Sequence, residues 1–159
     1  MSQLFNPGPE TLRKYADLLL HYCLRVREGQ RLLVSSTFLA EPLLLEIHRK
    51  ATRSGVAVEY DLGFRDKGKV FWEEAKGTLL DMEPAFYQYA MEHFDAYLAV
   101  RAPYSLHEDM GATPEQKKRR AAAGAKANQF YFTRTADTSL VRSLCQYPTQ
   151  ASADAAGMT

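Results

Sequence analysis

A segment that fits a phosphate-binding pattern is the first feature that could carry chemistry. Residues 63–69 read Gly-Phe-Arg-Asp-Lys-Gly-Lys, which matches GxxxxGK and follows a segment with strand character. In that motif a serine or threonine follows the lysine and holds magnesium, but Val70 stands here. Phe64 and Asp66 lie where backbone amides should surround the phosphate, and no helix signal begins at the lysine. We interpret the segment as a polar surface loop with two turn glycines.

A basic run, Lys117–Lys118–Arg119–Arg120, could bind nucleic acid. Four consecutive helical residues point around the whole helix, so they do not form one basic stripe. The chain carries 20 Lys and Arg against 19 Asp and Glu, a formal net charge of +1. No field of the whole molecule would therefore steer nucleic acid or an anionic membrane to it. We interpret the run as a solvated helix surface and expect no nucleic acid and no membrane as partners.

Metal binding requires clustered His, Cys, Asp or Glu side chains, and the sequence offers no such cluster. Glu46 and His48 lie two residues apart, on different faces of a predicted helix. His107 and Glu108 begin like HExxH, but Gly111 occupies the fifth position. The histidines are His21, His48, His93 and His107. We interpret each of them as structural or surface and predict no metal ligands in this chain.

Polar residues at predicted strand ends are the remaining candidates. Ser35, Ser36 and Thr37 end the first predicted strand, and Arg101 ends the third. In open α/β sheets, ligands bind beyond the carboxyl ends of the strands. Arg101 could meet a carboxylate or another domain. A nucleophile elbow, G-x-S-x-G, does not occur. The residues by themselves therefore predict no catalytic residues and name no reaction.

Alternating helices and strands must position these candidates. The spacing of apolar residues predicts helices over 9–27, 41–53, 70–76, 84–94 and 113–132 and a terminal helix that Thr149 caps. Strands are predicted over 31–37, 56–62, 96–101 and 139–146. The order α-β-α-β-α-β-α-β-α predicts an α/β layered domain with a small, mostly parallel sheet of about four strands and helices on both faces.

Two further patterns make specific predictions. In the first helix, one apolar stripe is expected to face inward; it comprises Leu12, Tyr15, Leu19, Tyr22, Cys23 and Val26. At the start of the helix predicted over 113–132, Thr113 and Gln116 form a capping-box pattern with Pro114 at the first helical position.

Composition predicts a compact cytoplasmic protein. At 159 residues and 46% hydrophobic, the chain has the size and composition of one globular domain, or of one domain with a piece that extends from it. Cys23 and Cys145 form no CxxC and are expected to be buried, reduced thiols in an intracellular compartment. The first ten residues show neither a basic nor an apolar targeting region. No stretch approaches the roughly 18 consecutive apolar residues of a membrane span.

Several short motifs occur in a consistent order along the chain: Tyr15–Leu19 with Val26 and Gly29-Gln30, Leu32–Val34 followed by Glu41–Leu43, Asp95–Arg101, and Tyr147–Thr149 with Ala153 and Ala156–Met158. These motifs resemble the thermophilic metallo-aminopeptidase family of aminopeptidases T and S. The last of them resembles the family segment in which P-T, an alanine-rich helix and G-M lead toward the catalytic domain. Together they cover nearly the whole chain.

The resemblance implies an exopeptidase that removes N-terminal amino acids with two divalent metal ions, zinc, cobalt or similar, and forms homodimers. In the family, the metal ligands lie in the C-terminal half. This resemblance therefore implies that residues 1–159 are an N-terminal α/β domain and that the catalytic domain lies outside them. Such a domain would shape the substrate chamber or the dimer. Arg101, Tyr147 and Thr149 are the candidates for an interdomain surface or a substrate wall.

Two other functions stay open at this point. The chain could be a free-standing α/β module that binds a ligand or a nucleotide through its strand ends and residues 63–69. It could also be an inactive relative that acts as an interaction partner. A nucleotide titration separates the first of these from the aminopeptidase hypothesis.

Overall fold

The fold is built on a parallel sheet. The structure, a computed structural model, describes residues 7–158. Its strands are β1 (Arg31–Thr37), β2 (Ala57–Gly63), β3 (Ala96–Arg101) and β4 (Val141–Gln146). They lie in the order β2-β1-β3-β4, and every pairing between them is parallel. The predicted α/β layered fold is therefore confirmed.

The strand ends follow from the local hydrogen bonds. The predicted bounds of β1 and β3 are confirmed. Strand β2 starts one residue later than predicted because the Val56 amide donates to the Ala51 carbonyl at 2.9 Å, closing the helix before it. Strand β4 starts two residues later than predicted because the Leu140 amide closes the preceding helix in the same way, on Arg134 at 3.0 Å.

Helices fill the connections between the strands. They are α1 (Pro9–Asp17), α2 (Glu41–Arg53), α3 (Lys67–Glu74), α4 (Ala85–His93), α5 (Pro114–Ala123), α6 (Ala125–Ala136) and α7 (Gln150–Ala155). Short 3₁₀ turns occur at Phe38–Ala40 and Gly77–Asp81. The predicted bounds of α2 are confirmed, and those of α4 are correct to within one residue at each end. Thr149 caps α7 as predicted, since its hydroxyl accepts the Ser152 amide at 3.3 Å.

The prediction of one regular helix over 9–27 is wrong in its second half. Residues Leu18–Cys23 form a π-helical segment, and the Leu24 amide donates to the Leu19 carbonyl five residues back, at 2.9 Å. A π turn contains one more residue than an α turn, so it rotates the side chains that follow. Tyr22, predicted to lie in the apolar stripe, is consequently 70% exposed.

The single helix predicted over 113–132 is two helices. Helix α5 ends at Ala123, Gly124 lies between the two helices, and α6 runs from Ala125 to Ala136. Glycine costs about 1 kcal/mol relative to alanine within a helix, so Gly124 is a weak point in the predicted helix. The predicted capping box is confirmed. The Gln116 amide donates to the Thr113 hydroxyl at 3.2 Å, and the Thr113 amide donates to the Gln116 side chain at 2.8 Å.

The described residues divide into two compact units. The first contains the sheet and comprises the residues up to Phe64, Asp95–Leu106 and the residues from Val141 onward. In it, α1 and α2 cover one face of the sheet. The core on that face is formed by fully buried side chains that include Leu20, Leu32, Val34, Leu43, Ile47 and Leu98.

The second unit comprises Arg65–Phe94 and His107–Leu140. In it, α4 packs against α6, with Met91 and Ala127 fully buried. The Arg134 guanidinium donates to the Met91 carbonyl at 2.9 Å. The Arg119 guanidinium donates to both oxygens of the Asp81 carboxylate, at 2.9 and 2.6 Å. This pair connects α5 to the 3₁₀ turn at Gly77–Asp81.

The Arg119–Asp81 pair predicts acid sensitivity. The hydrogen bonds from Arg119 hold the pKa of the Asp81 carboxyl below its usual range. Because the pKa of Asp81 is lower in the folded state than in the unfolded state, its ion pair stabilises the folded protein fully above the unfolded pKa of about 4. This stabilisation is lost as the pH falls through the pKa that Asp81 has in the folded state. We expect Asp81→Asn to lose less stability than the unmodified chain between about pH 5 and about pH 2 in urea unfolding. Glu83→Gln is the control and should behave like the unmodified chain; equal acid sensitivity of the two variants would contradict the prediction.

Candidate functional site at the carboxyl edge of the sheet

The strand order creates a crevice at the carboxyl edge. Strand β1 pairs with β2 on one side and with β3 on the other, so the connections that follow β1 and β2 lead to opposite sides of β1. This is a topological switch point, where open α/β sheets bind ligands. A cavity of about 570 Å³ lies at this place. Its lining includes Ser35–Thr37 from the end of β1 and Ala99–Arg101 from the end of β3.

Two hydroxyl groups fix the wall of this cavity. The Ser36 hydroxyl donates to the Val100 carbonyl at 2.9 Å, and the Thr37 hydroxyl donates to the Ala102 carbonyl at 2.6 Å. The Thr37 oxygen also accepts the Leu39 amide at 3.3 Å. These strand-end residues, predicted from the sequence as ligand-binding candidates, thus use their protons to join β1 to the chain leaving β3. They position the cavity wall.

The three predicted site residues lie around one corner of the sheet. The Tyr147 amide donates to the Arg101 carbonyl at 2.8 Å, which fixes the chain leaving β4 beside the end of β3. The Thr149 hydroxyl donates to the Ser152 hydroxyl at 3.1 Å, and Ser152 lines the cavity together with Arg101. Tyr147 and Thr149 are only 6% and 5% exposed. Of the three, Arg101 is therefore the residue that presents its side chain to the cavity.

The chemistry of the lining is that of a binding site. Among the residues that the structure describes around the cavity, Arg101 carries the positive charge and none is acidic. Serine hydroxyls and the Gln146 amide add hydrogen-bonding groups, and Pro103 and Leu106 add apolar surface. A lining of this kind can hold an anion. It offers no carboxylate or imidazole for general acid–base catalysis.

The GxxxxGK segment is closed by an internal carboxylate. Contrary to the sequence analysis, a helix does begin there: α3 starts at Lys67, and its predicted start at 70 is three residues too late. The Gly68 amide, however, donates to the Glu108 carboxylate at 3.2 Å. A Cβ at position 68 would lie 2.6 Å from that same carboxylate oxygen. The negative group at this helix start is thus supplied by the protein, and a bound phosphate would have to displace it.

The basic run is paired within its own unit. Besides Arg119, Lys117 binds the Asp109 carboxylate at 2.8 Å. Arg120 donates to the Met82 carbonyl at 2.6 Å, and its guanidinium carbon lies 5.4 Å from the centre of the Phe71 ring. These contacts engage three of the four basic side chains, so the run does not form a free surface for nucleic acid.

The structure brings together Asp17, His21 and Ser54, which were not predicted from the sequence as a site. His21 Nδ1 lies 2.9 Å from the Asp17 carboxylate, and His21 Nε2 lies 3.4 Å from the Ser54 hydroxyl. The order matches that of a hydrolytic triad. The amides of Ser54 and Gly55 are already donated to helix α2 carbonyls at 3.0 and 3.1 Å, so they cannot stabilise an oxyanion. Lys50 also binds Asp17 at 2.8 Å, which indicates a surface ion-pair network.

The metal centre that the family resemblance places in the C-terminal half has no counterpart among the described residues. Within residues 7–158, no three His, Cys, Asp or Glu side chains are grouped so that they could hold an ion. His48, for example, lies 3.1 Å from the Tyr60 hydroxyl.

The two cysteines are free thiols, as predicted. Cys145 is buried in the core as predicted, and burial raises the pKa of its thiol. The prediction that Cys23 is buried is wrong, since it is only half-buried. Burial likewise raises the pKa of the Tyr15 hydroxyl, which donates to the Gln146 carbonyl at 3.3 Å. None of the helices in the described part of the chain is long and apolar enough to cross a bilayer. Part of the N-terminal segment used for the targeting prediction, residues 1–6, lies outside the described residues.

Comparison with known proteins gives the family. The model of the thermophilic metalloprotease family (M29) matches residues 9–157. Among solved structures, wild-type AmpT from Thermus thermophilus has a similar fold, with a TM-score of 0.67 and 21% sequence identity. The match covers 87% of this chain but 36% of that one, so this chain spans about a third of its length. No curated protein matches the sequence significantly. The match over nearly its whole length shows that this chain belongs to the thermophilic metalloprotease family.

Proposed function

We propose that this chain is the N-terminal, non-catalytic domain of a metal-dependent aminopeptidase that removes N-terminal amino acids from peptides. The observation that carries the proposal is the unequal coverage of the structural match: 87% of this chain corresponds to 36% of wild-type AmpT. Membership of a metalloprotease family supports hydrolysis as the reaction class. Two divalent ions, zinc, cobalt or similar, would be held by residues outside this chain and would activate the water that attacks the peptide bond.

In this proposal, the carboxyl edge of the sheet shapes the substrate chamber or the homodimer, in a cytoplasmic enzyme. Arg101 would contact the substrate or the catalytic domain, while Tyr147 and Thr149 would hold the corner that leads toward that domain. The exposure of Arg101 at the cavity and the near-complete burial of the other two support this division of roles.

The coding sequence after the Thr159 codon tests this domain assignment. We expect the reading frame to continue and to encode separated glutamates, histidines and an aspartate, the donor types that bind such metals. A stop codon directly after Thr159 would contradict the proposal, since no described residues could then supply the metal centre. Binding or regulation would become the better account of the chain.

The cavity at the switch point also favours a second function, that of a free-standing ligand-binding module. A nucleotide is the ligand class that the GxxxxGK segment suggests, yet Glu108 occupies its Gly68 amide. Calorimetric titration with ATP and GTP separates the two functions. The aminopeptidase proposal expects no heat of binding, and saturable heat would favour the module.

A further inference from the structure

An unengaged arginine lies beside the cavity at the carboxyl edge. Arg101 ends β3 in the middle of the sheet, where its backbone is fixed by the parallel pairing with β4 and by the Tyr147 amide. Its side chain is exposed. Within residues 7–158, its guanidinium makes no hydrogen bond or ion pair, whereas Arg119, Arg120 and Arg134 are all engaged. A fixed backbone with an unsatisfied guanidinium is suited to binding an external anion.

The neighbouring polar groups complete an anion site. Because the Thr149 hydroxyl donates to Ser152 Oγ at 3.1 Å, the proton of the Ser152 hydroxyl is left for another acceptor. Ser152, Gln146 and Arg101 all line the cavity and can donate into it. Ser36 and Thr37 cannot, since their protons are held by the Val100 and Ala102 carbonyls.

We propose that this cavity binds the C-terminal carboxylate of a short peptide, with Arg101 as the carboxylate-binding residue. The choice of a peptide rests on the proposed function; the choice of a carboxylate rests on the lining. Because the described lining contains no acidic side chain, it cannot pair with an ammonium group. The peptide's N-terminus would therefore lie outside the cavity, which is where an aminopeptidase must act on it.

The charge of the lining favours a carboxylate over a phosphate. One arginine matches a singly charged carboxylate and can bind both of its oxygens. A phosphate group carries up to about two charges and is usually bound by several cations or by free amides at a helix start. The described lining provides one arginine and no lysine. Its volume of about 570 Å³ lies in the range of small-molecule sites, about 300–1,000 Å³.

The test is a titration of the isotope-labelled 159-residue chain, followed by the amide chemical shifts of the cavity residues. The probes are a tripeptide with a free C-terminus, the same tripeptide as its C-terminal amide, and its N-acetylated form. We expect the free and N-acetylated peptides to bind alike and the amide to bind at least roughly 10-fold more weakly, because it lacks the charge-assisted hydrogen bonds.

Two arginine variants assign the effect. Arg101→Gln is expected to weaken binding of the free peptide by roughly 10- to 100-fold. Arg53→Gln is the matched control, because it removes the same charge from an exposed position on α2, and it should bind as the unmodified chain does. The acid-amide comparison needs no variant, so it holds even if a substitution disturbs the fold.

Several results would overturn the inference. These are equal binding of acid and amide, equal effects of the two variants, absence of any shift at the cavity up to the solubility limit of the peptide, and preferential binding of inorganic phosphate or ATP at the same residues. None of them bears on whether the reading frame continues past Thr159. Failure of the carboxylate site can thus be told apart from failure of the proposed function.

Discussion

Replacing Leu98 by alanine is expected to lower the free energy of unfolding by about 2–5 kcal/mol. Leu98 lies in the middle of β3 and is 0% exposed, in the core that also contains Leu32, Val34 and Ile47. Removing its side-chain methyl groups takes away buried apolar contacts and leaves a cavity that the parallel sheet can only partly fill. Urea unfolding, followed by circular dichroism, measures the change.

Leu144→Ala on the neighbouring strand is the matched control. Leu144 pairs in register with Ala99 on β3 but is 52% exposed, so the same truncation removes far less buried surface. We expect a loss of about 0.5–1 kcal/mol. Equal losses for the two leucines would contradict the burial pattern of the sheet, because they would mean that Leu144 is as deeply buried as Leu98.

Replacing Thr37 by valine is expected to cost about 1–3 kcal/mol of stability. Valine keeps the shape of the side chain but removes the hydroxyl that donates to the Ala102 carbonyl and accepts the Leu39 amide. Each lost hydrogen bond contributes about 0.5–1.5 kcal/mol, and the groups left without partners add to the loss. Urea unfolding gives the stability, and the amide shifts of Ala102 and Leu39 show whether the cavity wall has moved.

Thr37→Ser retains the hydroxyl and controls for the loss of the methyl group. We expect it to keep most of the stability and to leave the Ala102 and Leu39 shifts close to their original values. If valine were tolerated while serine was costly, the methyl packing of Thr37, and not its two hydrogen bonds, would be what holds the end of β1.

The sequence predicted elements well where one local signal was strong. Strands β1 and β3 are short apolar runs between polar residues, and their bounds were correct. The predictions failed where hydrogen bonding departed from the usual pattern. The π-helical segment Leu18–Cys23 keeps helical residue types, so the composition of the chain does not distinguish it from an α-helix. Gly124 was visible in the sequence, but a glycine within a helical pattern does not by itself say that the helix ends.

The candidate site was predictable only in part. The strand-end residues could be named because parallel strands place their carboxyl ends at one edge. The cavity depends on the order β2-β1-β3-β4, which no local pattern encodes. Glu108 contacts Gly68 across 40 residues of sequence, and His21 meets Ser54 across 33. Such contacts become visible only in the folded chain. The contact between Asp17 and His21 is different, because their spacing of four residues could be seen in the sequence.

The residues at the carboxyl edge of the sheet are arranged for binding a ligand. Hydroxyl groups at the end of β1 hold the wall, the β4–α7 corner holds the backbone of Arg101, and the guanidinium is left for a ligand. The metal chemistry expected of the family would then come from residues outside this chain. Under the proposed function, the α/β domain would bind the substrate and residues outside this chain would carry out the hydrolytic step.

The measurement that tests the central claim most directly is metal-dependent aminopeptidase activity. The 159-residue chain and the product of its complete reading frame would each be assayed on an aminoacyl p-nitroanilide with added Zn²⁺ or Co²⁺. The account predicts that the longer protein hydrolyses the substrate in a chelator-sensitive manner and that the 159-residue chain does not. Chelator-sensitive turnover by the 159-residue chain itself would contradict it.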